Sequence, residues 1–325
     1  MSDLTEEFLQ SLASESPQSA ERVAVLRTLL EKFVELATLD SDLGDLRVAV
    51  TALNELLEAS TLFSQWRGHP KLAVFGSART KPENPLFEMA RQLSATMADR
   101  GWMTVSGAGP GIMEASAKGA GREHTLGVNI ELPFEQFANP FIDAETMLVA
   151  MQYFFTRKVA MTRPSNAFAI FPGGLGTMDE AFEVLTLLHT GKTTPAPVVL
   201  MDTPDGTFWA QWMDFVRHAI IADDYIGEHD MCLVRLCTSI DEAVDEIERF
   251  YSNFVEFEVH SGRGRIIIKQ APTNEQLAQL THTMPQFNTG AGYALDDPTS
   301  LSFDFEGRNF VSLRMLIDQI NAWTD

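Results

Sequence analysis

The chain has 325 residues, 45% of them hydrophobic and 21% charged. That is the composition of a globular protein long enough for about two domains, and it excludes wholesale disorder. With 45 acidic against 24 basic side chains the net charge is -21. This argues against a broad nucleic-acid or anionic-membrane surface, while leaving room for a small pocket that holds one phosphate.

The first ten residues, MSDLTEEFLQ, contain neither a basic n-region nor an apolar h-region, so no signal peptide is expected. No uncharged apolar stretch reaches about 18 residues, so no membrane span is expected. Residues 1–66 read as a helical segment. Val23, Leu26, Leu30, Phe33 and Ala37 recur at helical spacing, as do Leu46, Val50, Leu53 and Leu57 after a break at Ser41–Gly44. Such stripes predict a packing or dimerisation element, and hence a homodimer or higher homo-oligomer.

From 67 to 251 short apolar runs alternate with longer amphipathic stretches. Strands are expected at 71–75, 102–105, 125–132, 146–149, 167–171, 198–201 and 233–236. Helices are expected at 84–100, 110–121, 151–163, 177–190, 207–220 and 239–250. This alternation predicts an α/β fold, a Rossmann-like doubly wound parallel sheet covered on both faces. Ligands of such sheets bind beyond the carboxyl ends of the strands. Residues 252–325 read as a small α+β domain. They hold a hairpin of 255–259 and 265–269 around Ser261–Gly264, a helix at 273–283, a loop at 288–300, a strand at 301–305 and a helix at 309–323. Cys232 and Cys237 are too few for a disulfide framework or a Cys-based zinc site and are expected to be reduced and buried, which suits a cytoplasmic protein.

Three glycine-containing turns fall at strand ends: Gly76-Ser77-Ala78-Arg79, Ser106-Gly107-Ala108-Gly109-Pro110-Gly111, and Pro172-Gly173-Gly174-Leu175-Gly176-Thr177. Glycine lets the backbone come close to a ligand and present successive N–H groups, and a following helix adds the positive end of its dipole. Three such turns in one sheet predict nucleotide or phosphate binding. No G-x-G-x-x-G with an acidic residue about 20 positions on is present, and no G-x-x-x-x-G-K-[ST], so dinucleotide and P-loop NTPase readings are set aside. Thr177 is expected to cap its helix, with Glu180 either closing a capping box with it or free for chemistry. Arg157, the third glycine turn and Glu180 lie within 24 residues. They combine a cation, an anion cradle and a carboxylate, which is what cleavage of a phosphorylated sugar requires.

The segment Arg157-Lys158-x-x-Met161 followed by PGGLGTMDE at 172–180 resembles the LONELY GUY family of cytokinin-activating phosphoribohydrolases, whose motif PGGxGTxxE it matches in full. GSAR at 76–79 and GAGPGIMEA at 107–115 are similar to further family elements, and the resemblance spans about 70–250. The aromatic run before Arg157-Lys158, with LPFEQ at 132–136, resembles a longer bacterial branch. The resemblance implies hydrolysis of the N-glycosidic bond of a nucleoside 5′-monophosphate, AMP-like or a cytokinin riboside monophosphate, to free base and ribose 5-phosphate. It assigns catalysis to Arg157 and Glu180. It places substrate binding on Gly76, Ser77, Gly107, Gly109, Gly111, Met113, Lys158, Gly173, Gly174, Gly176 and Thr177. Sequences of this kind have also been labelled lysine decarboxylases. That reading is rejected, because nothing around Lys158 marks a pyridoxal phosphate pocket.

Asp179, Glu114 and His189 are weaker candidates. The histidines at 69, 124, 189, 218, 229, 260 and 282 form no metal-ligand spacing, so no metal or other cofactor is expected. The alternative to an enzyme is a nucleotide-binding or sensing protein on the same fold.

Overall fold

The computed structural model describes residues 18–39, 42–132 and 138–324. LPFEQ, apart from Leu132, lies outside the described residues. The chain forms two compact units, Met1–Asn54 and Glu55–Asp325.

The first unit contains α1 (Gln18–Thr38) and the opening turns of α2 (Leu43–Ser64). In α1, Val23, Leu26 and Leu30 are half-buried, whereas Val25, Phe33 and Val34 are exposed. The stripe expected on α2 is not the face that is buried. Val50, Leu53 and Leu57 are exposed, and the buried side chains are Glu55, Ala59, Leu62 and Phe63, all in the second unit. Ala59, Leu62 and Phe63 join the core on one face of the main sheet. The small Ala59 and the aromatic Phe63 fit that surface, and Leu57 is left facing outward.

The main sheet of the second unit has seven parallel strands. They are β1 (Lys71–Phe75), β2 (Met103–Ser106), β3 (Thr125–Ile130), β4 (Leu148–Met151), β5 (Ala167–Ile170), β6 (Val198–Met201) and β7 (Arg235–Cys237). The spatial order is β4-β3-β2-β1-β5-β6-β7. Every residue of β1 is buried, as a central strand covered on both faces must be. Ala73 and Phe75 enter one core, and Leu72 and Val74 enter the other, following the two-residue period of a strand. Six helices flank the sheet: α3 (Pro85–Asp99), α4 (Ile112–Ala120), α5 (Phe154–Thr162), α6 (Leu175–Thr190), α7 (Phe208–Phe215) and α8 (Ile240–Phe250). The doubly wound fold is therefore as expected from the alternation of runs. Chain order reverses between β1 and β5, and this switch point is where such sheets open a crevice.

The C-terminal part adds an antiparallel sheet, β10-β11-β9-β8, from β8 (Phe254–His260), β9 (Arg263–Ile268), β10 (Ala294–Asp297) and β11 (Ser300–Asp304). Two helices, α9 (Asn274–Thr283) and α10 (Phe310–Asn321), accompany it. Ser261 and Gly262 both take positive φ, 50° and 80°, and make the two-residue hairpin turn whose twist matches the strands. Strand β10 falls inside the expected loop. Its four residues, ALDD, are all exposed, so no apolar alternation marks it. Cys237 is buried and Cys232 only partly so.

Candidate active site

The three glycine turns meet at the switch point. Ser77 N–H donates to the Pro172 carbonyl at 3.2 Å, and Ile112 N–H donates to the Ser77 carbonyl at 3.1 Å. Several glycines are required by this packing. A Cβ on Gly76 would strike Ile112, and one on Gly173 would strike Thr177 Oγ1. Gly111 adopts φ +69°, and a Cβ there would run into the Ser77 carbonyl. Gly174 and Gly176 are different, because a Cβ on either would meet nothing within 4 Å. The protein's own packing does not require glycine there. The effect is an open approach to the first turn of α6.

That first turn begins earlier than expected. Gly174 is the N-cap, α6 starts at Leu175, and no side chain caps it. Thr177 is therefore inside the helix and not its cap, and Glu180 does not close a capping box with it. Helix α4 likewise starts after Gly111 with no side-chain cap. Two helix N-termini without side-chain caps stand at one cleft, a geometry suited to an anion.

Arg157 rises from α5 and Glu180 from α6. The Arg157 side chain is 13% exposed and that of Glu180 is 7% exposed, with Nη1 and Oε1 3.7 Å apart. Arg157 Nε donates to the Val128 carbonyl at 3.0 Å. A Cβ on Gly107 would collide with Arg157 Nη2, so glycine makes room for the guanidinium. Burial pushes the Glu180 carboxyl up to about 7, against the pull of Arg157 and Lys158. Burial lowers Arg157 as well, partly offset by Glu180. Glu180 Oε2 is buried without a hydrogen-bond partner. An orphaned buried carboxylate oxygen is costly, and a ligand hydroxyl would satisfy it.

The cleft measures about 660 Å³. Of the expected site residues, Gly76, Ser77, Gly107, Met113, Arg157, Gly174, Gly176, Thr177 and Glu180 line it together. Gly109, Gly111, Gly173 and Lys158 are not among its lining residues. Gly109, Gly111 and Gly173 belong to the turns behind it, and the Gly109 carbonyl accepts from Asn139 Nδ2. Lys158 Nζ lies 2.9 Å from Asp179 and 2.7 Å from Glu183. Burial acts to lower its pKa, but the hydrogen bonds to Glu183 and Asp179 outweigh it and keep the ammonium charged. Such a lysine is not free to form a Schiff base, so the residues do not fit pyridoxal phosphate. His189 lies in a separate apolar cavity of about 200 Å³ beside Trp212, with Nε2 3.5 Å from Asp230 Oδ1. The lining residues outside the expected set include Arg79, Ile130, Leu132 and Phe154. The position of Phe154 one helical turn before Arg157 was the available signal for it.

Residues 111–247 match the family model described as "Possible lysine decarboxylase". A cytokinin riboside 5′-monophosphate phosphoribohydrolase of Mycobacterium marinum is 35% identical over 138 residues, 41% of this chain and 71% of that protein. This chain belongs to the LONELY GUY family. A second member of that name, from Mycobacterium tuberculosis, is 35% identical over 128 residues, covering 38% of this chain and 65% of the relative's length. A pyrimidine/purine nucleotide 5′-monophosphate nucleosidase of Escherichia coli K12 is 27% identical over 161 residues, 46% of this chain and 35% of that protein. The family segment at 111–247 holds α4, Arg157 and Glu180. Gly76 and Ser77 reach the same cleft from outside it.

Proposed function

We propose that this chain hydrolyses nucleoside 5′-monophosphates, AMP-like or cytokinin riboside monophosphates, to free base and ribose 5-phosphate. The observation that carries the reading is the buried Glu180 carboxylate with its orphaned Oε2, facing a cleft rimmed by uncapped helix N-termini. The names of the mycobacterial and Escherichia coli relatives support the same substrate class.

In this reading the 5′-phosphate sits at the first turn of α6, held by N–H groups of Gly176 and Thr177, with Ser77 opposite. The ribose then lies over Glu180. As the C1′–N bond breaks, its electron pair leaves with the base and positive charge grows on the sugar, as in glycoside hydrolysis. The Glu180 carboxylate stabilises that charge and accepts a ribose hydroxyl on Oε2. Water supplies hydroxide to C1′ and a proton to the departing base. Arg157 holds the phosphate or assists the base, and its charge favours ionised Glu180. The apolar side chains of Ile130, Leu132 and Phe154 offer a surface for the base.

Among the described residues no helix is long and apolar enough to cross a membrane, and we place the protein in the cytoplasm as a homo-oligomer. The test is to incubate the protein with AMP and other nucleoside monophosphates and measure base and ribose 5-phosphate, with Glu180→Ala alongside. Release by the wild type but not by the variant supports the hydrolase. Ligand-induced thermal stabilisation without release would favour a binding protein.

A further inference from the structure

Glu55 is the one charged residue in the buried stripe of α2, and it is 5% exposed. Its carboxylate does not face the cleft. Oε1 accepts from the Gln152 backbone N–H at 2.7 Å, and Oε2 accepts from Thr156 Oγ1. Thr156 is fully buried. These two partners bracket the start of α5, whose own N-cap, Tyr153, gives its first turn no side-chain hydrogen bond. The anion at that helix start therefore comes from a residue about a hundred positions away in sequence, and it stands at the favourable end of the helix dipole.

The next residue along α5 is Arg157. Its guanidinium is confined by the Val128 carbonyl, by the space above Gly107 and by Glu180 at 3.7 Å. An apolar side chain at 55 would complete the stripe without the cost of desolvating a carboxylate. What the carboxylate adds is two hydrogen bonds, one to the backbone before Tyr153 and one to the Thr156 side chain after it. We infer that Glu55 is a positioning residue, holding the first turn of α5 so that Arg157 faces Glu180 across the cleft. The inference rests on the hydrolase reading for its effect on turnover, but not for its effect on α5.

The test compares Glu55→Ala, Glu55→Gln and Thr156→Val in the full chain, by kcat and KM on AMP and by hydrogen exchange. Glu55→Ala should lower kcat/KM by up to about 10²-fold, the loss an ångström of misplacement produces, through kcat where Arg157 assists the base and through KM where it holds the phosphate. Exchange in 152–160 should accelerate while the central strands stay protected. In Glu55→Gln the amide oxygen still accepts from Gln152. Its NH2 donates to Thr156 Oγ1, which then donates to the Tyr153 carbonyl 2.9 Å away. That variant should recover most of the lost kcat/KM. Thr156→Val should repeat the alanine effect in weaker form, and it serves if Glu55→Ala does not fold. Wild-type kcat/KM with unchanged exchange at 152–160 in Glu55→Ala would overturn the inference. A wild type that releases no base would sink the hydrolase reading alone, and the exchange data would still decide the role of Glu55.

Discussion

Glu180 has two consequences that can be separated. If the ionised carboxylate stabilises the sugar cation, kcat/KM on AMP should rise with pH along a limb centred near its value of about 7 and then level off. A carboxyl acting as a proton donor would give the opposite limb. Glu180→Gln should remove the limb and lower turnover by about 10²- to 10⁴-fold. A variant with wild-type turnover would end the proposed role. The second consequence concerns stability. The folded-state value is raised above the ordinary 4.5, so the folded chain binds its proton more tightly than the unfolded one. Stability is therefore lost as pH rises from about 4.5 through about 7. A glutamine has no such slope. Between pH 5 and pH 8 the difference between variant and wild type in urea unfolding should swing in the variant's favour, by at most about 3 kcal/mol. Parallel curves would mean that Glu180 is not held near 7 in the folded protein.

At the scale of elements, the site depends on where helices begin. Gly176 is the second residue of α6, and a Cβ there meets open space. Gly176→Ala should thus keep or slightly raise the melting temperature, since alanine is favoured over glycine in a helix by up to about 1 kcal/mol. KM for the nucleotide should rise, because the methyl would occupy the room proposed for the phosphate. Gly111→Ala should do the reverse and destabilise the fold, since φ +69° and the Ser77 carbonyl both oppose a side chain. Unchanged KM in Gly176→Ala would remove the phosphate from that turn. The sheet and the three turns were legible because strands buried on both faces are continuous apolar runs and glycine marks their ends. The start of α6 was not. A threonine three residues before a glutamate imitates a capping box, while the true first residue, Leu175, is 91% exposed and carries no burial signal. Glu55 was illegible for another reason: its partners, Gln152 and Thr156, are reached only through the tertiary fold. The apolar wall was illegible because Ile130 and Leu132 at the end of β3 and Phe154 at the start of α5 carry neither a glycine nor a charge that would mark them, and only the fold brings them together.

At the scale of the whole molecule, apolar surface and net charge act against each other. Phe154, Phe155 and Val159 on α5 and Leu175 and Phe182 on α6 are all exposed. The two helices are neighbours, tied by Lys158 to Asp179 and Glu183. We assign the contact of the proposed homo-oligomer to these grouped large side chains. Each chain nevertheless carries a net charge of -21, so two copies repel at long range, and salt screens that repulsion over about 10 Å at 0.1 M. An interface held by apolar contact between acidic copies should tighten with salt, whereas one held by ion pairs should loosen. Light scattering should therefore find a multiple of the chain mass, with dissociation on dilution more pronounced at about 0.02 M than at about 0.5 M salt. Leu175→Glu should shift the population toward the single chain at both, and most at low salt, because it adds a charge to the apolar patch as well as removing contact. A wild-type mass of one chain at every salt would refute the assembly. Assembly that survives Leu175→Glu would move the contact to another surface, the exposed Val25, Phe33 and Val34 of α1 being the next to substitute.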